Sequence, residues 1–248
     1  DDGNVIDRNI QWFQHATRSV VGKPLGQFYG YVADGIYADA AEIRNHLDTD
    51  VVNINKFNGV WPGDIKFKDL DGDGEITNAD RTFIGNPEPD FTLGLNNSLK
   101  YKNFDLNVYL FASVGNEVLN FTRTMTESLL NNFNQRQVVT ERAVLALKDP
   151  NLPNTDPDNV YVINPGTSVP RSSISDPNRN ARISSRFVED GSYLKIRTLS
   201  LGYTVPQRIS NTVNINRARF YVNIQNLYTF TNYSGFDPEV GPFNQDAL

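Results

Sequence analysis

The sequence has no cysteine and only two histidines, His15 and His46, in 248 residues. The first absence excludes a disulfide framework, a thiolate nucleophile and any cysteine-ligated zinc or iron–sulfur centre. The second leaves no histidine-rich metal centre. Basic residues are in deficit, 23 Lys and Arg against 29 Asp and Glu. A net charge of −6 argues against nucleic-acid binding, because phosphate contacts need a basic surface. Long apolar runs are missing too, and mean hydropathy is −0.45. That excludes a transmembrane helix. It does not exclude a transmembrane β-barrel, whose alternating strands pull the average down. The chain opens Asp1-Asp2-Gly3 and its one methionine is Met125, so the expectation is a piece of a longer protein.

Period-two alternation is what the sequence does have. Phe91, Leu93, Leu95 and Leu99 share one face of a strand at 91–101, with Thr92, Asn96, Ser98 and Lys100 on the other. Phe104, Leu106, Val108 and Leu110 repeat the pattern over 104–114. Ala218, Phe220, Val222 and Ile224 do so within a strand at 217–230. Between 193 and 205 the apolar parity switches near Thr198, which predicts a β-bulge there. Weaker strands are expected at 10–21 and 27–38.

Lys102-Asn103, residues 22–26 and residues 206–216 form short connections, whereas 39–90 and 115–190 are long. In an up-and-down order, short turns and long loops segregate to opposite ends. Outer-membrane barrels have this arrangement. A soluble β-sandwich with two decorated loops fits the alternation equally well. Within the second loop, Val118, Phe121, Met125, Leu129 and Phe133 recur at helical steps, and the run breaks at Asp149-Pro150.

The strongest motif is Asp69-Leu70-Asp71-Gly72-Asp73-Gly74-Glu75-Ile76-Thr77-Asn78-Ala79-Asp80. It has the oxygen spacing of an EF-hand calcium loop: Asp69, Asp71, Asp73, the Glu75 carbonyl, Thr77 through water, and Asp80. Gly74 falls at the sharp turn and Ile76 at the apolar anchor. Asp80 is one methylene shorter than the usual glutamate, and the flank Trp61–Phe67 is not helical. The expected cofactor is therefore a structural calcium. Arg171, Arg179, Arg182 and Arg186 read better as loop residues than as an anion site. Asp237-Pro238-Glu239 lacks the context of a catalytic pair, and His15 reads as structural. No nucleophile elbow, Walker loop or dinucleotide fingerprint occurs, so no enzyme is expected.

Several segments together resemble the C-terminal third of SusC/RagA-type TonB-dependent outer-membrane transporters. They are Gly22–Tyr31 with Asp34-Gly35-Ile36-Tyr37, and Pro62-Gly63-Asp64-Ile65-Lys66-Phe67-Lys68-Asp69 running to Ile84-Gly85-Asn86-Pro87. Glu189–Arg197 with Leu201-Gly202-Tyr203, Asn226–Thr231 and Tyr233–Glu239 complete the set. One departure is Arg142-Ala143, where relatives often carry Arg-Trp. The resemblance implies an all-β antiparallel transmembrane barrel fragment of about six strands, from the roughly 22-stranded plugged type. It implies that 39–90 and 115–190 are extracellular loops, one partly helical. The plug domain and the final strand would lie outside residues 1–248. It further implies import of oligosaccharides or peptides, TonB acting through the absent N-terminal part, and a SusD-like surface lipoprotein. Outer-membrane lipid and a dimer of transporter–lipoprotein pairs belong to the same expectation. No substrate residue carries over.

Overall fold

A computed structural model describes residues 5–9, 15–130 and 134–239. The chain divides into two compact units. Of the described residues, one gathers those up to Asn86 together with those within Leu119–Val188; the other gathers Pro87–Val118 and 189–239.

The first unit contains β1 (Val5–Asn9), β2 (His15–Val20), β3 (Gln27–Gly30), β4 (Ala33–Ile36), α1 (Ala40–His46), β5 (Ile65–Phe67) and β6 (Thr82–Gly85). Strands β1, β2, β3 and β6 form an antiparallel sheet in that order, and β4 pairs with β5. The single strand expected at 27–38 is thus two. The break falls where Tyr31 leaves the ladder: its amide donates to the Ile183 carbonyl, and its own carbonyl accepts from Ser185. Gly30 is needed here, since a Cβ would lie 2.5 Å from the Ile183 oxygen. The expected strand at 10–21 is described only from His15, and residues 10–14 lie outside the described residues.

The two long connections are folded rather than irregular. Helix α1 starts at Asp39, whose side chain accepts from the Glu42 amide, and it buries Ala40 and Ile43. Tyr37, Ile43, Leu47 and Val60 form one core cluster. Tyr31, Ile36, Ile65, Phe67, Ala143 and Val162 form another, with Ile76 packed against both. The second connection is partly helical, as its periodicity suggests: among the described residues, α2 (Phe121–Thr126) is α-helical, followed by a 3-10 turn at Gln137–Glu141. The threonine hydroxyls back-bond to carbonyls, Thr124 to Phe121 and Thr126 to Thr122, which makes a weak helix. Leu129 then sits at a φ of 54°, incompatible with continuation, and Phe133 lies outside the described residues. Short strands β9 (Glu117–Leu119), β10 (Leu145–Leu147), β11 (Val160–Val162) and β12 (Val188–Asp190) complete these segments, with β10 paired to β11.

The second unit is built on four long strands: β7 (Phe91–Tyr101), β8 (Phe104–Val114), β13 (Tyr193–Thr204) and β14 (Arg219–Thr231). They form one antiparallel sheet in the order β14-β13-β8-β7. The anticipated bulge is present. From Leu110 to Tyr109, β8 takes one step; opposite it β13 takes two, from Ile196 to Thr198, and β14 three, from Tyr228 to Gln225. Asn226 adopts a φ of 51° inside that irregularity. The bulge keeps Leu194 and Ile196 on the same side as Leu199 and Leu201, despite their different parity.

Candidate functional site

Register decides which side chains meet. Leu95 pairs with Leu110 and Leu99 with Leu106. Val108 pairs with Leu199, and Leu201 with Val222. One face of the four-stranded sheet is therefore apolar across its whole width, interrupted by Asn97 opposite Val108. Phe104 and Tyr203 pack ring to ring at 4.8 Å on that face. The outer strands expose theirs, Leu93 at 59%, Leu95 at 58% and Val222 at 61%, while Leu106, Val108, Leu110 and Leu199 between them are half-buried. Ordinary exposed leucines need no explanation, but a contiguous apolar sheet face does. The opposite face carries Asn96 and Ser98 against Tyr109 and Asn107, then Lys195, Ser200 and Asn223. Ser98 donates to Asn107 at 2.9 Å there, and Arg219 pairs with Asp105.

In the acidic loop, Asp69, Asp71 and Asp73 bring one carboxylate oxygen each to within 4.8 Å of one another. The backbone shapes this triad. Asp69 accepts from the Gly72 and Gly74 amides, Asp71 from Asp73, and Asp73 from Glu75. Gly74 sits at φ +82°, and a Cβ on it would meet that of Asp48 at 2.7 Å. Partial desolvation pushes Asp69 up, but the Gly74 and Gly72 amides outweigh it and hold its carboxyl below the ordinary value. Asp71 goes the other way. The Asp73 amide pulls it down, yet desolvation and the repulsion of Asp73, Asp80 and Asp69 carry it above the ordinary value.

Asp80 stands apart from the triad. It is fully buried, and its two oxygens accept from Leu70 at 2.7 Å and Thr77 at 2.6 Å. With Thr77 it forms a capping box that clasps the two ends of the loop. The Glu75 amide is committed to Asp73, and Ile76 anchors the loop in both core clusters. A cation at the triad would draw on Asp69, Asp71 and Asp73, and Asp71 and Asp73 each have one oxygen without a backbone donor in the loop. The clasp itself is testable. Asp80→Asn should cost about 1.5–3 kcal/mol through one lost charge-assisted bond. Thermal unfolding in chelator measures it, and an unchanged midpoint would show that the clasp carries no stability.

Two buried ionic centres were not evident from spacing. Asp64, fully buried, accepts from Arg171 Nε at 2.8 Å and a second guanidinium nitrogen at 3.1 Å, from Asn180 at 3.0 Å and from the Trp61 amide at 2.9 Å. Asn180 in turn accepts from the Ile65 amide at 2.7 Å. The second centre is Glu127, 1% exposed, which takes Arg123 at 2.8 Å, Arg136 at 3.0 Å and Arg186 at 2.6 Å. Burial pulls the Arg186 guanidinium down to about 10, with Glu127 opposing it. Arg182 is stacked between Tyr31 and Phe67, 4.7 Å from each ring centroid. Arg171, Arg182 and Arg186 thus serve three separate internal contacts, not one anion site. The side chain of His15 lies outside the described residues. Asp237 and Glu239 both reach Lys195.

Fold and register define an antiparallel β-protein whose main sheet has one apolar face, broken only at Asn97 among the pairs described above, and one polar face. Comparison with known proteins makes this specific. The chain is 38% identical over 230 residues, 91% of its length, to TonB-dependent receptor P3 of Formosa agariphila. It is 26% identical over 181 residues, 70% of its length, to TonB-dependent receptor SusC of Bacteroides thetaiotaomicron. The structure of the RagAB peptide transporter matches 92% of the chain with a TM-score of 0.58 at 23% identity. No family profile matches. The chain belongs to the TonB-dependent receptors of SusC/RagA type. It spans 20% of the length of the first relative, 15% of SusC and 22% of the RagAB chain.

Proposed function

We propose that this chain forms part of the wall of an outer-membrane β-barrel transporter that imports oligosaccharides or peptides. The carrying observation is the apolar face of β7, β8, β13 and β14. Strands of 11 to 13 residues are long enough to cross a bilayer when tilted. A soluble sandwich would bury such a face against a second sheet, whereas here its β7 and β14 side chains are exposed and those of β8 from Leu106 on only half-buried. Among the described residues no further strand pairs with the outer edges of β7 and β14, edges that a closed barrel removes by further pairing. Short links at Lys102-Asn103 and 205–218 would face the periplasm, with the folded long segments outside.

A SusD-like lipoprotein is the proposed partner over the extracellular segments, in keeping with the two-component RagAB assembly that the chain resembles. TonB would act through parts of the protein outside this chain, and pairs of transporter and lipoprotein would associate as dimers. The role is transport, with no catalytic step. Fractionation of the native source tests the reading. The peptides of this chain should come from a much larger, detergent-extracted outer-membrane protein that co-purifies with a lipoprotein. A soluble species near the mass of the chain would overturn it.

The acidic loop is proposed to hold a structural calcium through Asp69, Asp71 and Asp73, which would relieve the repulsion that raises Asp71. Chelation should then lower the unfolding temperature of the folded protein, and magnesium should not restore it. Because the ligands must be ionised, the calcium-dependent gain should fade as pH falls through the carboxylate range. Equal midpoints with calcium and with chelator at neutral pH would refute the site.

A further inference from the structure

On the polar face of the four-stranded sheet lies a cavity of about 420 Å³, at the end where the long segments leave the strands. Phe111, Tyr193, Arg197, Pro238 and Glu239 are among its lining, and among the described residues Arg197 and Glu239 are the ionic groups in it. Arg197 sits at the one-residue bulge between Ile196 and Thr198, the place in a strand where a side chain is re-aimed. Its guanidinium lies over the Phe111 ring, 4.2 Å from the centroid. One terminal nitrogen donates to Glu239, while Nε is sealed from water and has no acceptor among the described residues.

This is a half-used fork. A guanidinium offers Nε and one terminal nitrogen as a parallel pair that matches a carboxylate. Glu239 engages one side of it. Glu239 also has partners of its own: it accepts from Tyr193 Oη at 3.0 Å and from Lys195 Nζ at 2.6 Å. It can therefore leave Arg197 and stay paired. Lys195, 3% exposed, is held in turn by Asp237 at 3.2 Å.

We propose that the Arg197 cavity binds a carboxylate of the transported ligand, and that Glu239 is an internal competitor occupying Arg197 in the ligand's absence. Resting on the transporter reading above, this adds the ligand chemistry. A ligand carboxylate takes both donors of the fork, so the buried Nε gains the acceptor it lacks. The rings of Phe111, Tyr193 and Pro238 supply flat apolar surface for the rest of the molecule. A peptide C-terminus and a uronic acid both carry the required group.

The test uses the full-length protein in detergent and calorimetric titration. The probes are an N-acetylated pentapeptide with a free C-terminus, the same peptide amidated, trigalacturonate, and its methyl ester. In one of the two pairs the free acid should bind about tenfold tighter than its masked form, and that pair identifies the source. Arg197→Gln should erase the difference. Glu239→Gln should tighten acid binding several-fold and leave the masked probe unchanged, a gain that misfolding cannot produce. Equal affinities within both pairs would overturn the proposal. So would discrimination that survives Arg197→Gln, or acid binding that Glu239→Gln fails to tighten. A protein that fractionates with the outer membrane yet fails these tests would lose the carboxylate site and keep the barrel.

Discussion

Arg171→Ala should destabilise the folded protein by about 3–5 kcal/mol, the usual cost of leaving a buried charge unpaired. Asp64 is fully buried and Arg171 has a 5% exposed side chain, so water cannot replace the lost guanidinium. The effect should also be local in origin. Asp64 holds the Trp61 amide, and through Asn180 it supports the Ile65 amide at the start of β5. The Asp64→Leu, Arg171→Met double variant should recover only part of the loss, because it removes the unpaired charge but leaves the Trp61 amide and Asn180 without that acceptor. Denaturant midpoints of the two variants and the parent measure this. A loss below about 1 kcal/mol in Arg171→Ala, the range of an exposed pair, would show that the pair is solvated.

The second large effect belongs to the apolar face. Val108→Arg should cost about 2–4 kcal/mol if Val108 meets the bilayer midplane. Val108 is central in β8, opposite Asn97 on one side and Leu199 on the other. Its neighbour Asn107 points the other way, towards Ser98 and Ser200, and supplies the control. Asn107→Arg should leave assembly nearly unchanged. The readout is the folded, heat-modifiable fraction recovered from outer membranes. If Val108→Arg assembles as well as Asn107→Arg, the assignment of faces is wrong.

Sequence reasoning reached the four long strands because each one buries or exposes a consistent face, and period two is a local property of the chain. It reached the bulge for the same reason: the parity switch between Ile196 and Leu199 is visible without any partner strand. The acidic loop was legible because its turns are made by its own backbone, with Asp69, Asp71 and Asp73 accepting amides two to five residues ahead. Asp80 falls at the last ligand position by spacing, and in the structure its two oxygens accept from the Leu70 and Thr77 amides. Spacing cannot tell a carboxylate that faces a cation from one that faces two amides, and only burial separates them.

The helical steps of 118–133 mark a helix but not its length, because apolar spacing says nothing of the threonines that compete for the backbone. Arg171 and Arg186 could be set aside as an anion site, but their partners could not be named. Asp64 lies 107 residues from Arg171, and Glu127 lies 59 from Arg186. The residue types at those positions leave the pairing open.

What the sequence determines by itself is therefore what depends on near neighbours: strand faces, the bulge, the loop of alternating carboxylates and the family motifs they compose. Tertiary structure alone decides which charges are buried together. It packs the two long connections into one unit with a core of its own, and it sets Arg197 against both Phe111 and Glu239. Those contacts are made across long loops, whose closure is fixed by packing and not by the local pattern.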